Sequence, residues 1–247
     1  MVRKGKLMIS IIVLTYNGHE MTHECLKAVR ENTHDCELIV VDNGSEPEFI
    51  PEFPATVIRN VKNEGFPKAV NQGVRAAKGS TIILLNNDCI VTSGWAEGLE
   101  MALDEYSITG PMTNYCAGMQ RVTLPVYHNE TELNQVARDW AAQHNGESQE
   151  VNWVIGFCFA FKKSLYDSVG PFDESMWPCS GEEIDFCLKA RKAGYKIGIA
   201  KDVYVHHHGS QTFRDMEKAG QLNYDDVCLK CHKHLIDRYG ADYVVQI

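Results

Sequence analysis

Three groups of residues in this 247-residue chain have side chains that can do chemistry. The first is Asn86-Asn87-Asp88, which closes an apolar run at 82–85. An Asn-x-Asp pair can offer oxygen atoms to a hard divalent cation, and the cation can hold a diphosphate. A strand that merely ends in a turn has the same composition. The second group is Glu182, Glu183 and Asp185, at the expected start of a helix. Acidic residues there complement the helix dipole in any protein. Crowding and partial burial would also raise the pKa of one of them, which suits a general base near neutral pH. The third is His206-His207-His208. On an extended segment His206 and His208 face one side and His207 the other, so at most two share a site. A surface histidine run is the plain alternative, but the place of these three at a strand end, before Gly209-Ser210, favours a site.

A fourth set, Cys228, Cys231, His232 and His234, has zinc-binding residue types without the turn between ligand pairs that a zinc knuckle needs. Cys228 and Cys231 fall on the apolar face of a helix with Leu235, which reads as buried thiols. No Gly-x-Gly-x-x-Gly follows the first strand and no Gly-x-x-x-x-Gly-Lys-Ser/Thr occurs, so dinucleotide and P-loop enzymes are disfavoured. A sugar-phosphate nucleotidylyltransferase would need a glycine-rich basic loop after the first strand, and none is present.

The elements that would carry these groups alternate. Apolar strands are expected at 8–14, 37–41, 56–59 and 81–85, with helices at 20–31, 67–77 and 93–104. Met21, Cys25 and Val29 give the first helix one apolar face. Pro67 suits the first turn of the second helix, where its missing N–H costs nothing. Strand, helix, strand in this order describes a parallel crossover unit. Ligands of such sheets bind at the carboxyl ends of the strands, so Thr15, Asn17, Asp42, Asn63, Gly65, Asn71 and Asp88 are expected to converge on one crevice. Further on, 112–150 is polar and weakly periodic and reads as a variable insertion. Strands are expected at 151–161 and 195–205, a helix from about 181, and one last helix at 216–239.

Composition sets wider bounds. With 44% apolar and 23% charged residues the chain is an ordinary globular protein, one domain or two closely packed halves. Its net charge of −9 argues against nucleic acid as a partner. An acidic protein that binds phosphate needs a metal, a helix amino terminus or local bases to offset the repulsion. Nine scattered cysteines suggest reduced thiols and a cytoplasmic protein, and residues 1–15 read as neither signal peptide nor membrane span.

In order along the chain come Ile11-Ile12-Val13-Leu14-Thr15-Tyr16-Asn17, Val40-Val41-Asp42-Asn43-Gly44-Ser45, Asn63-Glu64-Gly65-Phe66 with Asn71-Gln72-Gly73, and Leu84-Leu85-Asn86-Asn87-Asp88. Then follow Gly170-Pro171-Phe172-Asp173-Glu174, Glu182-Glu183-Ile184-Asp185-Phe186-Cys187-Leu188-Lys189 and His206-His207-His208-Gly209-Ser210. Together they resemble the inverting family 2 glycosyltransferases of bacterial polysaccharide and rhamnosyl transfer, over about residues 8–213. The resemblance implies an α/β GT-A fold: a Rossmann-like, mostly parallel central sheet flanked by helices, with a helical C-terminal tail. It implies a glycosyltransferase domain at 1–213, split into a nucleotide-sugar half at 1–110 and an acceptor and catalytic half at 111–213, followed by an extension at 214–247.

The resemblance also implies roles. Thr15, Tyr16, Asn17, Asp42, Asn63, Gly65, Phe66, Asn71, Asn86 and Asn87 would bind the nucleotide sugar, and Asp88 and His206 a manganese or magnesium ion. Asn86 departs from the first aspartate of the family's Asp-x-Asp and removes one charge. Glu183 stands where an aspartate normally follows a glutamate and would be the base, with Glu182 and Asp185 as alternatives. The implied activity is inverting hexosyl transfer from a nucleoside-diphosphate sugar to a glycan, lipid-linked or protein acceptor, with peripheral membrane contact allowed. The rival readings are a nucleotide-sugar or carbohydrate-binding protein that has lost catalysis, and a zinc-dependent module on the last helix.

Overall fold

The computed structural model describes residues 8–178, 180–209 and 211–241, with the backbone alone at 213. The basic stretch at 1–7, Ser210 and residues 242–247 lie outside the described residues. The chain opens with β1 (Ile9–Thr15), α1 (His19–Asn32), β2 (Cys36–Asp42), β3 (Thr56–Arg59), α2 (Phe66–Ala76) and β4 (Thr81–Asn86). These match the expected elements to within a residue or two, because β1, β2 and β4 are apolar runs largely buried on both faces, with the short, half-exposed β3 at the sheet edge. β1 pairs in parallel with both β2 and β4, aligning Thr15 with Asp42 and Leu14 with Asn86. This register brings three polar strand ends to one edge of the sheet.

The chain continues through β5 (Cys89–Val91), α3 (Trp95–Ala102), β6 (Ile108–Met112), a single 3-10 turn, α4 (Glu130–Gln143), β7 (Ser148–Val151) and β8 (Cys158–Lys162). It closes with α5 (Lys163–Val169), α6 (Glu182–Lys192), β9 (Ile197–His207), α7 (Gln211–Lys218) and α8 (Tyr224–Tyr239). The strand order is β3-β2-β1-β4-β8-β6-β9-β5, with β7 on β9. It is parallel from β3 to β4 and between β6 and β9; β8 runs antiparallel to both its neighbours. Helices flank this mixed sheet. Among the described residues no helix is long and apolar enough to cross a membrane.

Three expectations are corrected here. The segment 112–150 is an ordered helix and edge strand: Leu133 and Ala137 of α4 are buried, and Trp140 donates to the Lys201 carbonyl at 2.6 Å. The strand expected over 151–161 is shorter, and residues 153–157 are a loop running up to β8. The single helix expected at 216–239 is two, broken at Gly220, whose φ of 66° ends α7. Asn223 then starts α8 by accepting from the Asp226 amide.

Two packing features hold the site's elements in place. Gly73 lets α2 lie directly on β1, since a Cβ there would meet Ile12 Cγ2 at 2.5 Å. Phe186 of α6 stacks on Phe172, with centroids 4.3 Å apart and planes 5° from parallel, and meets Phe159 and Phe161 of β8 edge-on or tilted. This aromatic cluster anchors α6, and with it Glu182 and Glu183, to the sheet. Phe186→Ala is therefore expected to destabilise the protein by about 3–5 kcal/mol in urea unfolding; a loss below about 1 kcal/mol would show that α6 is held by other contacts.

Candidate active site

At the carboxyl edge of β1, β2 and β4 a cavity of about 140 Å³ is lined by Thr15, Tyr16, Asn43, Asn63, Phe66, Asn86, Asn87, Asp88, Pro178, His207, Thr212 and Met216, with Leu14 at its base. Thr15, Tyr16, Asn63, Phe66, Asn86, Asn87 and Asp88 are brought together as expected. Thr15 and Asn87 are fixed by one hydroxyl: Thr22 Oγ1 lies 2.7 Å from Thr15 Oγ1 and accepts from Asn87 Nδ2 at 3.0 Å. Asn43 orders the facing loop, donating to Asn63 Oδ1 and accepting from the Glu64 amide.

Four expected residues do not line the cavity. Asp42 is fully buried and its carboxylate is consumed by the Ser45 and Phe49 amides and by Arg59 Nη1 at 3.1 Å. It shapes the loop after β2 and has no free oxygen to offer a ligand. Asn71 is also fully buried. It donates to the Phe172 carbonyl and to Glu174, and accepts from the Phe172 amide and Tyr166. Asn17 accepts from the Glu46 amide, and its own amide donates to Ser45 Oγ. Gly65, at φ 85°, gives up a Cβ to the Trp177 indole, which would lie 2.4 Å from it.

His206 is not beside Asp88; His207 is. β9 alternates its side chains, and its middle histidine points into the cavity. His207 Nε2 lies 3.2 Å from Asp88 Oδ1, and the ring stacks on Phe157. His207 Nδ1 is 2.7 Å from the Tyr115 carbonyl, which can only accept, so Nδ1 carries a proton and Nε2 is the nitrogen turned to Asp88. His206 Nδ1 is instead 2.6 Å from the Tyr127 hydroxyl.

Asp88 Oδ1 and His207 Nε2 are both shielded from solvent, and neither has a hydrogen-bond partner despite their ion-pair separation. Two buried electron-pair donors facing each other, the histidine oriented through its other nitrogen, fit a divalent cation. Burial works against the Asp88 charge, but His207 and the Gln211 amide outweigh it and hold the carboxyl below its usual range. Cys89 Sγ lies close enough to complete the set. Burial, with the Asp88 charge adding to it, pushes that thiol well up, so it stays protonated and is a poor ligand for a hard ion.

His207 also lines a second, larger cavity of about 850 Å³, bounded by Glu183, Arg121, Tyr115, Ile184 and the α8 residues Tyr224, Cys228 and Leu235. Glu183 stands on the first turn of α6 against Gly156, its Oε2 shielded and unpartnered. Burial raises its pKa, while the backbone amides of Gly156, Gly181, Glu183 and Ile184 pull the other way. Glu182 is 5% exposed; burial first, then the Glu183 charge, raise it well above the ordinary range. Glu182 has amide help only from Glu182 and Ser180, and it also feels the Glu183 charge, so Glu183 is the one that ionises first. Asp185 is removed from the choice of base: Arg238 and Tyr239 each donate to its Oδ1 at 2.7 Å, and Lys189 lies 3.4 Å from Oδ2. Arg238 also reaches Asp173 at 2.8 Å, so α8 is tied to both α6 and the loop before it.

Sequence reasoning did not place Asn43, His207, Tyr115, Thr212 or Met216 in the site. Asn43 stands in the Asp42-Asn43-Gly44 turn and was readable there; Tyr115, Thr212 and Met216 arrive from regions without a motif.

The sequence model of Glycosyl transferase family 2 matches residues 10–170, and the chain belongs to that family. It is 24% identical over 221 residues to glycosyltransferase AglE of Haloferax volcanii, covering 85% of this chain and 69% of that protein. It is 36% identical over 196 residues to an uncharacterized glycosyltransferase of Haemophilus influenzae, covering 74% of this chain and 61% of that one. The structure resembles GalNAc-T7 with UDP, GalNAc and Mn2+ (TM-score 0.64, 18% identity, 83% of this chain and 44% of that chain). It also resembles the mannosyltransferase PcManGT of Pyrobaculum calidifontis with GDP-Man and Mn2+ (TM-score 0.59, 16% identity, 96% and 72%).

Proposed function

We propose that this glycosyltransferase moves a sugar from a nucleoside-diphosphate donor to an acceptor hydroxyl with inversion at the anomeric carbon. The carrying observation is that His207 borders both cavities, so the Asp88–His207 pair on one side and Glu183 on the other are separated by a single side chain. The nucleotide would lie against Thr15, Tyr16, Asn43, Asn63 and Phe66, with Asn86 and Asn87 toward the sugar. Asp88 and His207 would hold a magnesium or manganese ion, which supplies positive charge for the departing diphosphate. Glu183 would take the proton from the acceptor hydroxyl as that oxygen attacks from the side opposite the leaving group.

The acceptor, a glycan or a lipid-linked or protein hydroxyl, would enter the larger cavity, whose α8 wall belongs to the C-terminal extension. The donor half at 1–110, the acceptor half at 111–213 and that extension are then working parts of one site. The free cysteines suit a cytoplasmic protein, where nucleotide sugars are also made. A thermal-shift screen of nucleotide sugars, with and without manganese, tests the donor class: stabilisation by one nucleotide family, stronger with the ion, is expected. Stabilisation without donor cleavage, even with acceptors supplied, would favour the binding-protein reading.

A pH prediction follows from the paired glutamates. The Glu183 pKa is raised from 4.5, so the acid limb of kcat should lie above that value, activity falling as the base is protonated. Glu182 is held protonated by burial and by the Glu183 charge while Glu183 ionises, so Glu182→Gln should leave that limb nearly where it is. The same variant tests stability. A carboxyl raised on folding favours the native state at low pH and weakens it as pH climbs past 4.5 toward the raised value. Glu182→Gln should therefore raise Tm at pH 8 more than at pH 4, and an equal shift at both would contradict the assignment.

A further inference from the structure

His206 and His208 project from the face of β9 opposite His207 and take no part in the chemistry above. Their rings meet at right angles, with centroids 4.6 Å apart and His206 Nε2 3.4 Å from His208 Nδ1. The outer nitrogens are already engaged. His206 Nδ1 lies 2.6 Å from the Tyr127 hydroxyl, itself 2.9 Å from the Tyr204 hydroxyl, and His208 Nε2 lies 3.8 Å from Glu24 on α1. The inner nitrogens face only each other.

We propose that His206 Nε2 and His208 Nδ1 form a second cation site, separate from the Asp88–His207 pair, that takes a borderline-soft divalent ion of the zinc type. The distance is the first argument. Metal–nitrogen bonds of about 2.0–2.1 Å meeting at the tetrahedral angle place the two nitrogens ~3.4 Å apart. That is the separation found here, whereas it is long for a good N–H···N hydrogen bond. The orienting groups are the second argument. A ligating histidine usually gives its other nitrogen to an oxygen partner; Tyr127 stands in that place for His206, and Glu24 lies at ion-pair distance from His208. The donor type is the third: two imidazoles select zinc, copper or nickel over magnesium, and the Asp88 carboxylate marks the other site for the harder ion. His208 is partly exposed, so water can complete the coordination. A bound ion would clamp the end of β9 to the Tyr127 segment, with Glu24 of α1 behind it.

The probe is zinc alone, titrated into the full chain by calorimetry, with cobalt as a spectroscopic stand-in whose visible absorption reports tetrahedral ligands. Wild type should bind zinc at this site, and the binding should survive in Asp88→Asn and in the double variant Cys228→Ser with Cys231→Ser. His208→Gln, at a partly exposed position, should weaken it about tenfold or more while leaving magnesium-supported transfer unchanged; His206→Gln should do the same to zinc. Zinc affinity unaltered in His208→Gln would overturn the proposal. So would zinc lost in the Asp88 or cysteine variants but kept in the His208 variant, or no zinc bound by wild type at all.

Discussion

Glu183→Gln is expected to lower kcat about 10²–10⁴-fold while leaving donor affinity close to wild type. The amide keeps the shape of the side chain and its place on the first turn of α6 but cannot accept a proton from the incoming hydroxyl. On the proposed reading the donor would sit across His207, in the other cavity, so the loss should fall on turnover rather than on binding. Rapid mixing with saturating nucleotide sugar and acceptor separates the two. Turnover within about fivefold of wild type would move the role to Glu182, the adjacent buried carboxyl with an unpartnered oxygen and, among the described residues, no basic side chain on it.

Asp88→Ala is expected to be nearly as damaging, about 10²–10³-fold in kcat, because the cation that Asp88 would hold against the developing diphosphate charge would be lost. It should also abolish the tightening of donor binding by manganese. The histidines give this prediction its control: His207→Gln should share the defect and His206→Gln should not, since only His207 reaches Asp88. Equal loss in both histidine variants would mean that β9 acts as a unit and that its register does not decide the ligand.

The contrast between His206 and His207 also shows where sequence reading stops. Period-2 alternation separates His207 from its two neighbours, but which side faces the crevice depends on the pairing of β9 with β5, Cys89 opposite His207, and no local pattern encodes that. The carboxyl edge of the sheet was legible because β1, β2 and β4 are apolar runs that each stop at polar residues, and parallel pairing brings such stops into line. Asp42 and Asn71 belong to the same motifs and read as ligand contacts. In the fold their polar atoms are saturated by Arg59, by the Ser45 and Phe49 amides and by the 172–174 loop, partners known only once the chain has closed on itself. Asp185 likewise looked interchangeable with its neighbours until α8 returned Arg238 and Tyr239 to it. The break between α7 and α8 was readable in principle: Gly220 precedes an Asn223-x-x-Asp226 cap, and the continuous apolar face of the last helix masked it.

The most direct test follows the anomeric carbon. Purified protein, the nucleotide sugar chosen by thermal shift, manganese and an acceptor would be monitored by proton NMR as diphosphate is released. The account predicts a product of configuration opposite to the donor's, formed by wild type and reduced at least a hundredfold in both Glu183→Gln and Asp88→Ala. A product that retains the donor's configuration, or unchanged turnover in both variants, would contradict it.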